Sequence, residues 1–176
     1  MKPEELLERH YQVVTRLSSL PRKMVQIHGK ENLTEFVLHE LCHEKCFNFN
    51  KAAYIINNPH FDCIKGVAGV SREHSVDDHD IWQACDHFSS HMEKSDFNRR
   101  VRSLSGRSLK SDAELQKDII AQFALDLGFK SHNFSTWDMK HDNQGFLVYE
   151  SIHNDDEVID QHLMNSLSLL SFCPIF

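Results

Sequence analysis

Residues 33–46 read LTEFVLHELCHEKC, and the fold prediction starts from this stretch. Its apolar residues recur at the spacing of one helical face: Val37, Leu38 and Leu41. Asn32 directly precedes the stretch as a favourable N-cap residue, and Glu35 stands three positions later as the return partner of a capping box. We therefore expect a helix from about Leu33 to Cys46 that buries its apolar face.

The polar side of this helix carries His39-Glu40-Leu41-Cys42-His43, an H-E-x-x-H pattern. Positions i and i+4 of a helix lie one turn apart on one face, so the rings of His39 and His43 can reach a common metal ion. The intervening Glu40 can then act as general base on a metal-bound water. The pattern resembles that of zinc peptidases over this short stretch, and it predicts Zn²⁺ as the cofactor.

A third metal ligand has to come from elsewhere in the chain. In zinc peptidases of this kind it is a carboxylate from a later helix, and Glu73 is the leading candidate. His60 and Cys63 are alternatives for a structural site with nitrogen and thiolate ligands. The longer H-E-x-x-H-x-x-G-x-x-H form is absent, because Cys46 and Phe49 occupy its glycine and third-histidine positions.

The same residues also fit a helix with no catalytic role. Glu44 and Lys45 follow His43, where the helices of zinc peptidases usually carry an uncharged residue. Free cysteines such as Cys42 and Cys46 are commonly buried as small hydrophobic residues. On this interpretation the chain is a non-enzymatic protein that acts through protein–protein interaction or self-association.

The composition is that of an ordinary globular chain with an acidic balance. The 176 residues carry a net charge of −7, and 40% of them are hydrophobic. No run of about 18 apolar residues occurs, so we expect no membrane span, and the charged N-terminus does not resemble a secretory signal. An odd number of cysteines without an export signal favours reduced thiols in the cytoplasm. The sequence leaves their roles open: Cys42, Cys46, Cys63, Cys85 and Cys173.

One basic cluster, Arg99-Arg100-Val101-Arg102, is the best candidate for contacts to phosphate. A solvated loop explains this cluster at least as well, and the acidic balance of the chain disfavours a polyanionic partner. We therefore expect no nucleic-acid partner.

The remaining segments divide into helical patterns and short apolar runs. Helical spacing predicts four further helices, over about residues 3–18, 75–92, 111–127 and 155–172. Leu20-Pro21 should end the first of these, and the helix at 111–127 should begin after the N-cap Ser111 and end at Gly128.

Residues 23–28 could form a short strand, and residues 48–57 and 63–70 could each form a strand or a short buried helix. The glycines of residues 63–70 favour a strand or a close backbone approach. Residues 137–141 and 146–150 predict a hairpin with a four-residue loop. The polar, serine-rich residues 95–110 predict a loop.

These patterns predict an α+β fold in which about five helices pack on a small, mainly antiparallel sheet, with residues 1–176 forming one domain. The first functional hypothesis is a zinc-binding protein, and in its stronger form a small peptidase-like hydrolase. Its substrate would be an unknown small molecule or peptide, with Glu40 as base and His39, His43 and Glu73 as ligands. The second hypothesis is the non-enzymatic protein, which self-association would make a homo-oligomer.

Overall fold

The computed structural model describes residues 3–74, 80–109, 113–152 and 157–174, and these form an α+β fold, as the sequence predicts. The helices in these ranges are α1 Pro3–Gln26, α2 Leu33–Cys42, α3 Cys85–Lys94, α4 Asp96–Arg102, α5 Ala113–Asp126 and α6 Glu157–Leu167. The strands are β1 Phe49–Asn58, β2 Cys63–Ser71, β3 Ser105–Gly106, β4 Asn133–Asp138 and β5 Gln144–Ser151. None of the described helices is long and apolar enough to cross a membrane.

The described strands form one sheet in the order β3-β2-β1-β5-β4, and every neighbouring pair is antiparallel. Two hairpins build most of it, because β1 turns directly into β2 and β4 turns into β5. The central strand β1 alternates its side chains between the two faces of the sheet. Ala52, Tyr54 and Ile56 enter one core, and Ala53 and Ile55 enter the other.

Helices cover both faces of this sheet. The first core receives side chains from α1, α2, α3 and α6, among them Val13, Phe36, Phe88 and Leu163. The second core receives side chains from α4 and α5, among them Phe97, Val101, Ile120 and Ala124. Because both faces of β1 are covered, its sequence is a continuous apolar run. A run of this kind is also typical of a buried helix, so the sequence alone cannot distinguish a strand from a short helix at these residues.

The helix α1 is longer than the sequence suggests. It continues through Pro21 to Gln26, so the expected end at Leu20-Pro21 and the expected strand at 23–28 are both wrong. Leu20 and Met24 are buried and extend one apolar face of the helix past the proline. Packing of that face outweighs the backbone hydrogen bond that Pro21 cannot make.

The helix α2 begins at the predicted residue but ends at Cys42, one turn earlier than expected. Asn32 makes no capping hydrogen bond, and its side-chain amide instead donates to the Ser89 hydroxyl of α3 at 3.0 Å. Glu35 is buried and accepts a hydrogen bond from Arg102 of α4 at 3.1 Å. The predicted capping box is therefore absent, and its two residues tie α2 to its neighbours.

The end of α5 and the presence of the second hairpin agree with the sequence. Gly128 has a φ of 76° and ends α5, as its position predicts. The N–H of Phe129 donates to the carbonyl of Ala124 at 3.0 Å, which completes a Schellman motif. The predicted hairpin is formed by β4 and β5, but its first strand begins at Asn133, four residues before the expected start.

Other segments differ from the prediction or lie outside the described residues. The expected loop at 95–110 contains α4 and β3. The expected start of a helix at 75–78 is outside the described residues, and α3 begins at Cys85. Ser111, the expected N-cap of α5, is also outside them.

The helix α4 crosses β2 at close range because two glycines of that strand have no side chain. A Cβ on Gly66 would overlap the carbonyl oxygen of Val101, and a Cβ on Gly69 would lie 2.5 Å from the Val101 Cγ2. The buried Asn98 uses this proximity, because its side-chain oxygen accepts the N–H of Gly69 at 2.9 Å. The glycines in residues 63–70 therefore mark a close backbone approach, as predicted.

We expect Gly66→Ala to destabilise the protein by about 1–3 kcal/mol or more, because the new methyl group must push α4 away from β2. The measurement is the free energy of unfolding from denaturant titration. Gly106→Ala is the control, since a Cβ there lies 3.3 Å from a side-chain methyl of Ile64 at an exposed position. Equal stability of the Gly66→Ala variant and the natural protein would contradict the close approach.

Candidate functional site

Glu40, the predicted catalytic base, lies where α1, α2 and the turn before α3 meet. Its side chain is buried, with a residue exposure of 3%. Arg16 and Lys23 of α1 both donate to Oε1, the lysine at 3.3 Å. The indole N–H of Trp82 donates to Oε2 at 2.8 Å. We call these four residues the Glu40 cluster; in it, both carboxylate oxygens already accept hydrogen bonds from the chain.

The Glu40 cluster keeps the carboxyl group ionised. Burial alone would raise the pKa of Glu40, but the hydrogen bonds from Trp82 and Arg16 and the charges of Arg16 and Lys23 hold it below its ordinary value. A general base works best with a pKa near the working pH and within reach of the proton that it takes. The chemistry of Glu40 therefore fits a buried counter-charge for α1 better than it fits a base.

His39, the first predicted ligand, is half-buried on α2 with its ring edge-on to Phe88 at 5.2 Å. Burial, only partly opposed by the charge of Glu40, lowers the pKa of His39 to about 4. The ring is therefore neutral at neutral pH. Neutral imidazole is the metal-binding form, and it is equally the ordinary state of a histidine packed among aromatic side chains.

His43, the second predicted ligand, lies just beyond the end of α2, where its backbone has left the helical conformation. Its Nδ1 accepts the backbone N–H of Lys45 at 3.0 Å. A neutral ring that accepts at Nδ1 carries its proton on Nε2. Binding a metal through either nitrogen would therefore cost this hydrogen bond. Burial also lowers the pKa of His43.

Glu73, the expected third ligand, lies in a 3₁₀ turn after β2 and forms an ion pair with Lys51 at 3.4 Å. Among residues 3–74, 80–109, 113–152 and 157–174, no three or more His, Cys, Asp or Glu side chains form a group that could hold a metal ion. The predicted set of His39, His43 and Glu73 thus gains no support from the geometry, and it stays a prediction.

The thiols near the pattern are buried and protonated. Cys42 and Cys46 both lie in the first core, where burial raises the pKa of both thiols, that of Cys46 to about 12. Metal binding and nucleophilic attack need the thiolate form. These two cysteines therefore act as small hydrophobic residues, which is the alternative that the sequence offered for them.

Sequence reasoning missed the partners of Glu40. Arg16 and Lys23 are seven residues apart and therefore share one side of a continuous helix. That signal was lost because the first helix was expected to end before Lys23. Trp82 is 42 residues away from Glu40 along the chain, and only the fold brings it into contact.

No protein-family model, no curated protein and no solved structure matches this chain.

Glu40→Gln should destabilise the protein by about 1.5–3 kcal/mol, because Arg16 and Lys23 lose the only acceptor charge of the Glu40 cluster. The free energy of unfolding at neutral pH measures this loss. Glu44→Gln is the matched control, because Glu44 is exposed and its partner Arg72 lies 3.9 Å away. If both variants unfolded at the same denaturant concentration as the natural chain, the cluster would have no structural role.

His39→Gln should make the protein less sensitive to acid. The unfolded chain binds a proton at His39 near pH 6.5, whereas the folded chain does so only near pH 4. Between these values the unfolded state holds the extra proton, so stability falls as the pH is lowered through this window. The total loss at this position is roughly 3 kcal/mol.

The free energy of unfolding, compared at neutral pH and near the lower end of that window, tests the His39 prediction. The natural chain should lose more stability than the His39→Gln variant. The exposed His28, replaced by Gln, provides the control. Identical pH dependence of the natural chain and the His39→Gln variant would show that this ring does not resist protonation in the fold.

Proposed function

We propose that this protein is non-enzymatic and acts by assembling with a second copy of itself through α1. One observation carries the proposal: α1 exposes a row of apolar side chains to solvent. This α1 stripe consists of Leu7, Tyr11, Val14 and Val25, which are 69%, 67%, 41% and 75% exposed. Clustered exposed apolar side chains of this kind are typical of interaction surfaces.

The spacing of the α1 stripe suits a second helix. Leu7, Tyr11 and Val14 are separated by four and three residues, and continuing these alternating steps leads through Ser18 and Pro21 to Val25. Such alternation keeps a seam on one side of a helix, as in helices that pack side by side in coiled coils. The core-facing residues of α1 are on a different side of the helix: Val13, Leu20 and Met24.

The charges along α1 favour an antiparallel second copy. Its first two turns carry the exposed acids Glu4, Glu5 and Glu8, and its second half carries basic residues, of which Arg22 is exposed. Two antiparallel copies of α1 related by a twofold axis place the acidic start of each helix beside the basic end of the other. A twofold axis also brings the same surface of both chains together, which is the commonest arrangement in homo-oligomers.

The small size of the α1 stripe limits the expected affinity of the dimer. A stable interface usually buries about 800 Å² on each partner, which is more than a few side chains on one helix supply. We therefore expect a weak dimer that forms at micromolar or higher concentration, in rapid exchange with the monomer.

The zinc hydrolase hypothesis is less favoured because it asks Glu40 to activate water while both of its oxygens are bound to Trp82, Arg16 and Lys23. It still makes a distinct prediction. Protein purified without an affinity tag would contain stoichiometric zinc that His39→Ala or His43→Ala removes. Metal-free, fully folded protein would support the non-enzymatic function.

Two further features bear on the compartment of the protein and on its basic cluster. The described cysteines are all free thiols, which suits a reducing compartment. The arginines of the basic cluster bond to acceptors within the chain rather than facing a ligand together. Arg99 pairs with Asp96, Arg100 donates to the carbonyl of Asp126, and Arg102 pairs with Glu35.

Tyr11→Glu should weaken self-association at least tenfold, because it places a charge in the centre of the apolar seam while keeping a good helix-forming residue. Sedimentation velocity across a concentration series measures the dissociation constant. Gln26→Glu adds the same charge one residue from Val25 but outside the α1 stripe, so it is the matched control.

The orientation of the pair has its own test. Arg22→Glu should weaken an antiparallel dimer, and adding Glu8→Arg to the same chain should restore part of the loss. A protein that stays monomeric at every concentration would overturn the proposal. A dimer that is indifferent to Tyr11→Glu would show that α1 is not the interface.

A further inference from the structure

Two histidines that the sequence patterns did not connect meet between α1 and α6. His10 and His162 are separated by 152 positions in the chain, yet their Nε2 atoms lie 2.5 Å apart. The ring centroids are 4.7 Å apart, which is close to the largest separation that this nitrogen–nitrogen distance allows. The two nitrogens therefore point at each other, in the space between the rings.

The surroundings of this pair hold it in place. Both rings are half-buried, and their helices pack together in the first core through Val13 of α1 and through Ile159 and Leu163 of α6. The pair is therefore set by the packing of two helices rather than by exposed side chains meeting in solvent.

Two imidazole nitrogens facing each other this closely need either a hydrogen-bonding proton or a metal ion between them. If both carried lone pairs they would repel, and if both carried protons the two N–H groups would clash. A proton satisfies the arrangement when one ring donates and the other accepts. A metal ion satisfies it when both rings carry their protons on Nδ1 and offer both Nε2 lone pairs.

We propose that His10 and His162 form a binding site for a divalent transition-metal ion such as Zn²⁺ or Cu²⁺. A tetrahedral Zn²⁺ ion with Zn–N bonds of about 2.0–2.1 Å holds two ligands a little over 3 Å apart. The nitrogens reach that separation when both rings rotate about their side-chain bonds, which also turns the two lone pairs towards one ion. Imidazole nitrogen is a preferred ligand of both metals.

The site uses two protein ligands, and water completes the coordination. It therefore differs from a closed structural centre, and it agrees with the lack of any three-donor group in the part of the chain that the structure describes. An ion bound in this way would be exchangeable and would join α1 to α6. His10 is a neighbour of the α1 stripe, three residues after Leu7 and four before Val14, but its ring contacts His162 of α6.

The test is a calorimetric titration of the full, tag-free chain with Zn²⁺ and, in parallel, with Cu²⁺. We expect one ion per chain. His10→Gln and His162→Gln should each weaken binding at least tenfold, and the double variant should be little worse than either. The ¹⁵N resonances of these two rings should shift at Nε2 when Zn²⁺ is added, which a merely structural role would not produce.

Three control variants distinguish the possible outcomes of the metal titration. His39→Gln should leave the affinity unchanged, because the H-E-x-x-H pattern is a separate site. His28→Gln tests an unrelated exposed histidine, and Tyr11→Glu should disrupt the dimer while keeping the metal. Circular dichroism without metal checks that each variant is folded, and if His162→Gln is unfolded, His10→Gln alone decides.

Absence of binding to the natural chain at millimolar metal would overturn the proposal and leave a shared proton between the rings. Loss of binding in His39→Gln, with binding retained in His10→Gln, would also overturn it and would favour the H-E-x-x-H site.

Discussion

The buried carboxylate of Glu40 is the interaction on which the arrangement of the first core depends. It receives two cations from α1 and the indole N–H of Trp82, so three segments that are distant in the chain meet at one acidic group. A buried charge needs partners of this kind, and once formed they limit how the elements can rotate. These contacts therefore fix the orientation of α1 about its own axis.

That rotation decides which residues of α1 are available to other molecules. With Arg16 and Lys23 turned towards α2, the opposite flank of the buried face brings His10 against His162 of α6. The residues beyond it, including Leu7 and Tyr11, remain exposed. The proposed dimer surface and the proposed metal site are thus both consequences of how one helix is held.

The residues of the H-E-x-x-H pattern show how strongly the surroundings of a side chain decide its contacts. Its glutamate binds within the chain, its second histidine lies beyond the helix end, and its cysteine is buried. Each role follows from the neighbours of the residue rather than from its type. A motif predicts chemistry only where the fold leaves the side chains free to carry it out.

Much of the fold could be inferred from local patterns. The α+β class, the start of α2, the glycine end of α5 and the β4–β5 hairpin depend on residues that are close in the chain, so periodicity and turn chemistry identify them. The glycines of β2 predicted a close backbone approach, but the sequence did not identify α4 as the neighbouring element. The length of α1 escaped this reasoning, because the packing of Met24 outweighs the local effect of Pro21.

The candidate sites depended on contacts that no local pattern contains. Trp82 reaches Glu40, and His162 reaches His10, across long stretches of chain, and a single sequence holds no record of such pairs. The amino-acid order by itself established the α+β class and most of the larger elements, but not α4, β3 or the full length of α1. Only the packing of these elements decided which polar groups are hydrogen-bonded within the chain and which surfaces stay exposed. Burial and hydrogen bonding depend on residues that are close in space, and these are often far apart in the sequence.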